Sequence, residues 1–424
     1  MRLSRVGRFS LALVVSVAIG LGITACGGGT VAYIWVLGTQ YNQVGAFKVD
    51  NYSGNLTQVV GSPFSSNGTS PIALAIKPGG RYVYVVNKGV PAAGTTPATP
   101  GNIALFSVGG DGTLTFQQTY SSRGSTPVWA TVSADGNYLY VLDTLYPDTP
   151  EYPNPNGLGD VTVFAIDNNT GRLQLVPNQQ IKDSNQTQLT FFPVGPAPKM
   201  MRVSNSCLFT INGGNQTVFP YAVGASGQLT LTANSTITTG AGNLTSISTN
   251  GNYVYLTDAA ATTDSPGGRI LPYTVGTGSS ACSLNTLTGG PVNNLPLTSN
   301  PVYSMADNKG KTLYVLNRSS LDPNNPTSSI SAFTIDPTTG KLFILGTGGG
   351  GTALPGNPYS TGSGPVCMVE DPTNQWVYTS NNIDNTLTGK RLDSNSGELR
   401  ALPRNSTFPT VGQPTCMALS GNVN

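Results

Sequence analysis

The amino-acid sequence predicts an all-β fold, a seven-bladed β-propeller closed by pairing of its N- and C-terminal strands. Three observations predict it: a strand motif that recurs seven times, a Gly-x-Leu hairpin after most copies, and two chain ends that each supply part of one unit. Of the 424 residues, 52 are glycine and 31 are proline, while only 9% are charged. Such a turn-rich composition favours an extracytoplasmic β protein over a helical cytosolic enzyme.

The recurrent strand alternates aromatic and β-branched residues over six positions. This alternation is what a strand packed on both faces requires. The seven copies occupy residues 33–38 (YIWVLG), 82–87 (YVYVVN), 138–143 (YLYVLD), 207–212 (CLFTIN), 253–258 (YVYLTD), 312–317 (TLYVLN) and 376–381 (WVYTSN).

A second strand precedes most copies, and a hairpin follows them. The preceding strand opens with a proline 11 residues before the motif in four units, and Pro198 and Gly242 are assigned the same place in two others. The hairpin glycine suits a turn with a left-handed residue. These glycines are Gly54, Gly112, Gly171, Gly227, Gly340 and Gly397. The fifth unit departs from the pattern, with an insert around residues 279–283.

Four strands in each unit, about 45–70 residues apart, are the signature of a propeller blade. The first unit lacks an opening strand, whereas residues 414–420 (PTCMALS) form an opening strand with no unit behind it. We therefore expect the chain ends to complete one blade together, which removes two sheet edges. A linear solenoid is the alternative, and the complementary ends argue against it.

The YVYVVN and TLYVLN copies, with their D-x-x-T-G-x-L hairpins, resemble the YVTN-repeat and seven-bladed lactonase-type propellers. That family includes proteins similar to 6-phosphogluconolactonase, and the resemblance covers nearly all of residues 31–421. It implies a propeller fold and, as an activity, hydrolysis of a sugar-type lactone. Its motifs are structural, so they support the fold better than the activity, and no catalytic residue is carried over from the family.

Residues 1–25 are predicted to be a lipoprotein signal peptide. Three arginines precede an apolar run over residues 9–21, and residues 23–26 (ITAC) resemble a bacterial lipobox in which Cys26 is lipidated. Residues 26–30 would be a lipidated tether, and residues 31–424 the propeller. An ordinary cleaved signal is the alternative. We expect an extracytoplasmic protein anchored to a bacterial membrane by lipid, and to the outer membrane in a cell that has one.

Composition excludes several functions. The chain has no histidine, so that Ser-His-Asp triads, Cys-His pairs and histidine metal sites are impossible. The leader holds three of the 21 basic residues, which leaves 18 against 19 acidic ones and no basic patch for nucleic acid. The sequence indicates no cofactor and no metal site. We expect a monomer whose partner is an unknown small molecule, a glycan or an envelope protein.

Two charged residues stand out on the predicted inner strands. Arg202 and Glu370 occupy positions that are small or apolar in most other blades, where a charge is costly unless it is paired or hydrated. They belong to the fourth and seventh blades and could face each other across the channel. Arg202 could polarise a carbonyl, Glu370 could act as a general base, and Lys199 could assist them in opening a lactone. The alternative is a solvated ion pair, or charges at strand ends.

Four cysteines follow Cys26. Cys367 and Cys416 occupy equivalent inner-strand positions, and we predict two unbonded core residues, because equivalent side chains would point the same way around the ring. Cys207 and Cys282 lie in adjacent units, where an oxidising compartment would permit a bridge. The sequence leaves that pairing open.

Three classes of function remain compatible with the sequence. The first is a ligand- or partner-binding module at the cell envelope, the second is a lactone hydrolase, and the third is a structural envelope protein. Long loops at residues 89–101, 145–160 and 319–329 favour binding, because insertions in a propeller fall on its faces. The lack of histidine weakens the hydrolase interpretation without excluding it.

Overall fold

A computed structural model describes residues 29–94, 97–204, 206–232, 236–295, 300–318, 328–347 and 354–421. The predicted signal peptide and Cys26 lie outside these residues. In chain order the strands are β1 (Thr30–Gly38), β2 (Gln43–Asp50), β3 (Leu56–Gln58), β4 (Phe64–Ser65), β5 (Pro71–Ile76), β6 (Tyr82–Asn87), β7 (Asn102–Val108), β8 (Leu114–Tyr120), β9 (Ser125–Val132), β10 (Tyr138–Leu145), β11 (Leu158–Ile166), β12 (Leu173–Leu175), β13 (Phe192–Pro196), β14 (Pro198–Ser204), β15 (Cys207–Asn212), β16 (Thr217–Val223), β17 (Leu229–Leu231), β18 (Ile237–Thr238), β19 (Leu244–Asn250), β20 (Tyr253–Asp258), β21 (Arg269–Val275), β22 (Leu284–Thr286), β23 (Val292–Asn293), β24 (Pro301–Ala306), β25 (Thr312–Asn317), β26 (Ser329–Ile335), β27 (Leu342–Ile344), β28 (Tyr359–Ser360), β29 (Pro365–Glu370), β30 (Trp376–Asn381), β31 (Thr386–Leu392), β32 (Leu399–Ala401), β33 (Thr407–Pro409) and β34 (Pro414–Gly421).

These strands form seven antiparallel sheets, which we number as blades. Blade 1 contains β34, β1, β2 and β3, from the channel outwards. Blades 2 to 7 contain β5–β8, β9–β12, β14–β17, β19–β22, β24–β27 and β29–β32. Each of the remaining short strands pairs with the third strand of a blade. These short strands are β4, β13, β18, β23, β28 and β33.

The ring closes as the sequence predicts. β34 pairs antiparallel with β1, so that Trp35 lies opposite Ala418 and the two chain ends share blade 1. Each inner strand also contacts the inner strand of the next blade, all the way around. The predicted seven-bladed β-propeller is therefore confirmed, and the solenoid alternative is wrong.

The recurrent motif forms the second strand of every blade. In β6, β15, β25 and β30 all six residues are buried. Because neighbouring blades cover both faces of these strands, apolar side chains are needed on both, which explains the aromatic and β-branched alternation.

The aromatic residues of the motif clamp the hairpin of the following blade. A Cβ atom on Gly171 of blade 3 would lie 2.6 Å from the ring of Tyr82 in blade 2, so that only glycine fits there. The Tyr84 hydroxyl donates a hydrogen bond to the Gly171 carbonyl oxygen at 2.8 Å. The other glycine contacts are Gly112 on Tyr33, Gly227 on Tyr138, Gly340 on Tyr253, Gly397 on Thr312 and Gly54 on Trp376.

A disulfide takes the place of this clamp between blades 4 and 5. The strand β15 begins Cys207-Leu-Phe, and blade 5 has its insert where the other hairpins have the glycine. Cys207 and Cys282 are bonded, with Cα atoms 5.6 Å apart. The pairing that the sequence leaves open is thus formed, and it joins the two blades whose hairpin contact lacks the aromatic residue and the glycine.

The structure corrects the predicted register of the inner strand of blade 5. Leu244, not Gly242, holds the position of the prolines, because it lies opposite Asp258 as Pro301 lies opposite Asn317. Two residues connect β19 to β20, as in blade 4, whereas five residues make this connection in blades 2, 3, 6 and 7.

Candidate functional site

A cavity of about 500 Å³ lies at the mouth of the central channel. Its lining comes from the inner strands of six of the seven blades, which places it on the propeller axis. The floor is formed by residues that lie two positions after the proline of each strand. These floor residues are Trp129, Met200, Tyr303, Cys367 and Cys416. We call this space the mouth cavity.

Arg202 lies against this floor. Its guanidinium carbon is 4.9 Å from the centre of the Trp129 ring and 5.7 Å from that of Tyr303. Its Nη2 atom donates a hydrogen bond to the Tyr303 hydroxyl at 2.8 Å. Two cation–π contacts and this bond hold the planar cation in one orientation. Among the described residues, no carboxylate forms an ion pair with it.

Lys199 lies at the rim of the mouth cavity. Its Nζ atom donates hydrogen bonds to the Leu244 carbonyl oxygen at 2.8 Å and to the Asn243 side chain at 3.2 Å. Burial lowers the pKa of this lysine. Lys88 also lines the cavity, and no aspartate or glutamate does. The cavity is therefore cationic, with apolar walls.

Glu370 lies at the opposite end of its inner strand. One carboxylate oxygen accepts a hydrogen bond from the Asn308 backbone N–H at 2.8 Å, and the other is buried without a partner among the described residues. Burial raises the pKa of Glu370 to about 7, and nearby Asp307 and Asp371 act in the same direction. Of the three candidate catalytic residues, only Lys199 lines the mouth cavity. Arg202 contacts two of its floor residues from outside the lining, and Glu370 lies further away along its strand.

Cys367 and Cys416 are buried and unbonded, as predicted, but the reason behind that prediction is wrong. Their sulfur atoms lie 3.5 Å apart, so the side chains meet rather than point away from each other. Inner strands converge towards the axis, and β29 directly contacts β34. Equivalent positions of neighbouring blades therefore touch at the channel.

Sequence reasoning missed the two aromatic partners of Arg202. Trp129 and Tyr303 resemble ordinary core residues of a strand, and only their common position after the proline marks them as part of the floor. The same position holds Met200, Cys367 and Cys416. A comparison of all residues at that position would have found the floor of the mouth cavity.

The described chain contains no helix long and apolar enough to cross a membrane. The arrangement at the mouth can bind an anion, since Lys88 and Lys199 line a concave surface whose floor rests on the Arg202 guanidinium. It offers no carboxylate that could act as a base there.

Comparisons with known proteins agree with this architecture. A family model described as lactonase, 7-bladed beta-propeller, matches residues 29–191. A putative 6-phosphogluconolactonase from Bacteroides fragilis has a similar structure, with TM-score 0.65 and 16% identity over 92% of this chain and 98% of that one. A periplasmic gluconolactonase from Pseudomonas aeruginosa gives TM-score 0.64 and 17% identity over 93% and 100%.

Among curated proteins, none matches this sequence significantly. Structural similarity at such low identity shows the fold alone, and the hairpins and strands that carry it are the ones described above. The closed ring of seven blades makes the chain a seven-bladed β-propeller, and its residues 29–191 match the lactonase family model.

Proposed function

We propose that the protein binds a small, oxygen-rich organic anion, such as a sugar acid, in the mouth cavity. One observation carries the proposal: the cavity on the propeller axis is lined by lysines, rests on an arginine without a carboxylate partner, and contains no acidic residue in its lining. A charge in such a place is costly unless a counter-charge or water compensates it. A bound carboxylate would supply that compensation.

The residues in and around the mouth cavity have different roles in binding an anion. Lys88 and Lys199 line the cavity and can donate hydrogen bonds to a carboxylate. Trp129 and Tyr303 hold the Arg202 guanidinium against the floor, from where its fixed positive charge attracts the same anion. A volume of about 500 Å³ suits a ligand of monosaccharide size. A purely structural protein has no need of an unpaired cation on its axis.

We also propose that this binding occurs at the cell envelope. The predicted signal peptide and the lipidation of Cys26 support an anchored, extracytoplasmic protein. Phosphorylated sugars are mostly inside cells, which makes unphosphorylated sugar acids and their lactones the better ligand class.

Replacing Arg202 by glutamine is expected to weaken binding of gluconate by roughly 10-fold, because the positive charge held against the floor is lost and an attraction of about 1.4 kcal/mol corresponds to that factor. Tryptophan fluorescence can measure it. Trp129 lines the mouth cavity, whereas Trp35 and Trp376 are fully buried elsewhere. A ligand in the mouth cavity should therefore change the emission of Trp129 alone.

Arg400→Gln is the matched control, since Arg400 pairs with Glu398 on the surface. This variant should bind gluconate like the unchanged protein. Equal affinity in the Arg202 and Arg400 variants, or no binding of any sugar acid at millimolar concentration, would contradict the proposal.

Lactone hydrolysis is the second candidate function. The observation that favours it is Glu370, whose free carboxylate oxygen and pKa of about 7 suit a general base near neutral pH. The base would take a proton from water as the water attacks the lactone carbonyl. Glu370 lies outside the lining of the mouth cavity, so this chemistry would not use the anion site described above.

If the protein hydrolyses lactones, the rate is expected to rise with pH and level off above about pH 7, because only ionised Glu370 can accept the proton. Glu370→Gln should then lower kcat at least about 100-fold. Hydrolysis of glucono-lactone, corrected for spontaneous opening, measures both. Glu398→Gln, at the exposed ion pair, is the control. Turnover that survives in Glu370→Gln would rule out this base.

A further inference from the structure

Two thiols share the floor of the mouth cavity. Cys367 belongs to β29 and Cys416 to β34, and their sulfur atoms are 3.5 Å apart without a bond. Both side chains are at least nine-tenths buried, yet both line a cavity that opens to the outside. A small ion could therefore reach both sulfur atoms from the channel mouth.

Polar backbone groups of Met417 surround the thiol pair. The Met417 backbone N–H donates to the Cys367 sulfur at 3.2 Å, and its carbonyl oxygen accepts from Cys416 at 3.6 Å and from Cys367 at 3.9 Å. The contact with Cys416, together with burial, raises the pKa of Cys367 well above its usual value, whereas the contact with Cys367 lowers that of Cys416. A metal ion must therefore displace the proton of Cys367 when it binds both sulfur atoms.

We propose that Cys367 and Cys416 bind one soft monovalent metal ion, of the Cu(I) and Ag(I) class, as a bis-thiolate. Two S–H bonds break, two sulfur–metal bonds form, and two protons leave to solvent without any transfer of electrons. Two thiolates and a monovalent ion carry a net charge of −1, which the nearby guanidinium of Arg202 balances.

The side chains around the pair select against other metals. Zinc sites in proteins usually need four ligands, and the described chain contains no group of three or more cysteine, aspartate or glutamate ligands. Hard cations prefer oxygen ligands, and no carboxylate lines the mouth cavity. The thioether of Met200 adds a third sulfur to the same floor, and soft sulfur ligands select Cu(I).

Titration of the full-length chain with Ag(I) tests the proposal, with Cys26→Ser introduced to remove the remaining thiol. We expect one silver ion per chain after gel filtration, measured by native mass spectrometry. Two protons should be released per ion, and Cys367 and Cys416 should become protected from alkylation. Binding of gluconate is scored separately, so failure of either proposal leaves the other standing.

Cys367→Ser and Cys416→Ser should each abolish the retained silver. Where a variant fails to fold, the unchanged chain alkylated with N-ethylmaleimide serves instead, and it should also retain none. Equal silver in these samples and the unchanged protein would overturn the proposal. So would purified protein without free thiols, which would show that the pair closes to a disulfide.

Discussion

Replacing Asp160 by asparagine is expected to stabilise the propeller by at least about 2 kcal/mol at pH 8 and by less than about 1 kcal/mol at pH 4, because a buried polar group without a partner costs about 1–3 kcal/mol and an ionised one more. Asp160 on β11 lies opposite Asp143 on β10, and both side chains are fully buried. Each carboxyl group has one oxygen without a partner among the described residues. The two acids therefore face each other where no cation separates them.

The equivalent pairs of the other blades show what this position requires. In blade 2, the Asn87 amide donates to Asn102 at 2.8 Å, and in blade 5, Arg269 pairs with Asp258 at 3.0 Å. Blades 4, 6 and 7 place Asn212, Asn317 and Asn381 opposite Thr217, Ser329 and Thr386. Among blades 2 to 7, only blade 3 places two acidic residues opposite each other at this position. Asparagine at residue 160 would restore the amide-to-oxygen bond of blade 2.

The direction of the pH dependence follows from the pKa values. Burial raises the pKa of Asp143 to about 7, and burial together with Asp143 raises that of Asp160 well above its usual range. The folded protein therefore holds protons that the unfolded chain has already lost above about pH 4. This contribution is present at pH 4 and is lost as the pH rises through about 7, at about 1.4 kcal/mol per unit for each proton.

Calorimetry at pH 4, 6 and 8 measures the difference in Tm between the variant and the unchanged protein, which should grow to at least about 2 °C at pH 8. Hydroxyl groups of Ser122, Thr162 and Tyr221 face the pair and titrate outside this range. Asp258→Asn is the matched control with the opposite sign, since it removes the partner of Arg269. A difference in Tm that stays constant with pH would contradict the proposed protonation of the Asp143–Asp160 pair. So would calcium that stabilises the unchanged protein more than the variant, because the two carboxylates would then bind a cation rather than a proton.

The fold was predictable from the sequence because each blade repeats the same arrangement of strands and hairpins. The alternation in the recurrent strand and the hairpin glycines report contacts between neighbouring blades, and those contacts recur around the ring. The register of blade 5 was not predictable from the spacing of Gly242, because a shorter turn moves the strand by two residues. Turn length is a local property that the repeat does not fix.

The site was predictable only in part. Arg202 was found because a charge on an inner strand is conspicuous, whereas its contacts with Trp129 and Tyr303 cross between blades that are distant in the chain. Glu370 is equally conspicuous in sequence, yet lies at the other end of its strand from the mouth cavity. Sequence alignment of the strands gives the height of a residue in the channel, but not the direction of a long side chain.

Removing the disulfide between Cys207 and Cys282 is expected to destabilise the propeller by about 4 kcal/mol. The bond closes a loop with a sequence separation of 75 residues, and restricting an unfolded loop of that length is worth about 4 kcal/mol in the chain-entropy description. The disulfide also stabilises the folded state. Blade 4 begins its recurrent strand with cysteine and has Phe209 where five of the other blades have a tyrosine, so the seam with blade 5 lacks the clamp.

The double variant Cys207→Ala/Cys282→Ala should therefore unfold at a Tm lower by roughly 5 °C, and reductant should lower the Tm of the unchanged protein alone. Tyr84→Phe, which deletes one clamp bond between blades 2 and 3, is the matched control and should cost only about 1 kcal/mol. If the double variant loses no more than Tyr84→Phe, the packing of blades 4 and 5 suffices without the bond. If the double variant instead shows faster amide-proton exchange only in β15, β16, β21 and β22, the disulfide holds the seam between blades 4 and 5 rather than the whole ring.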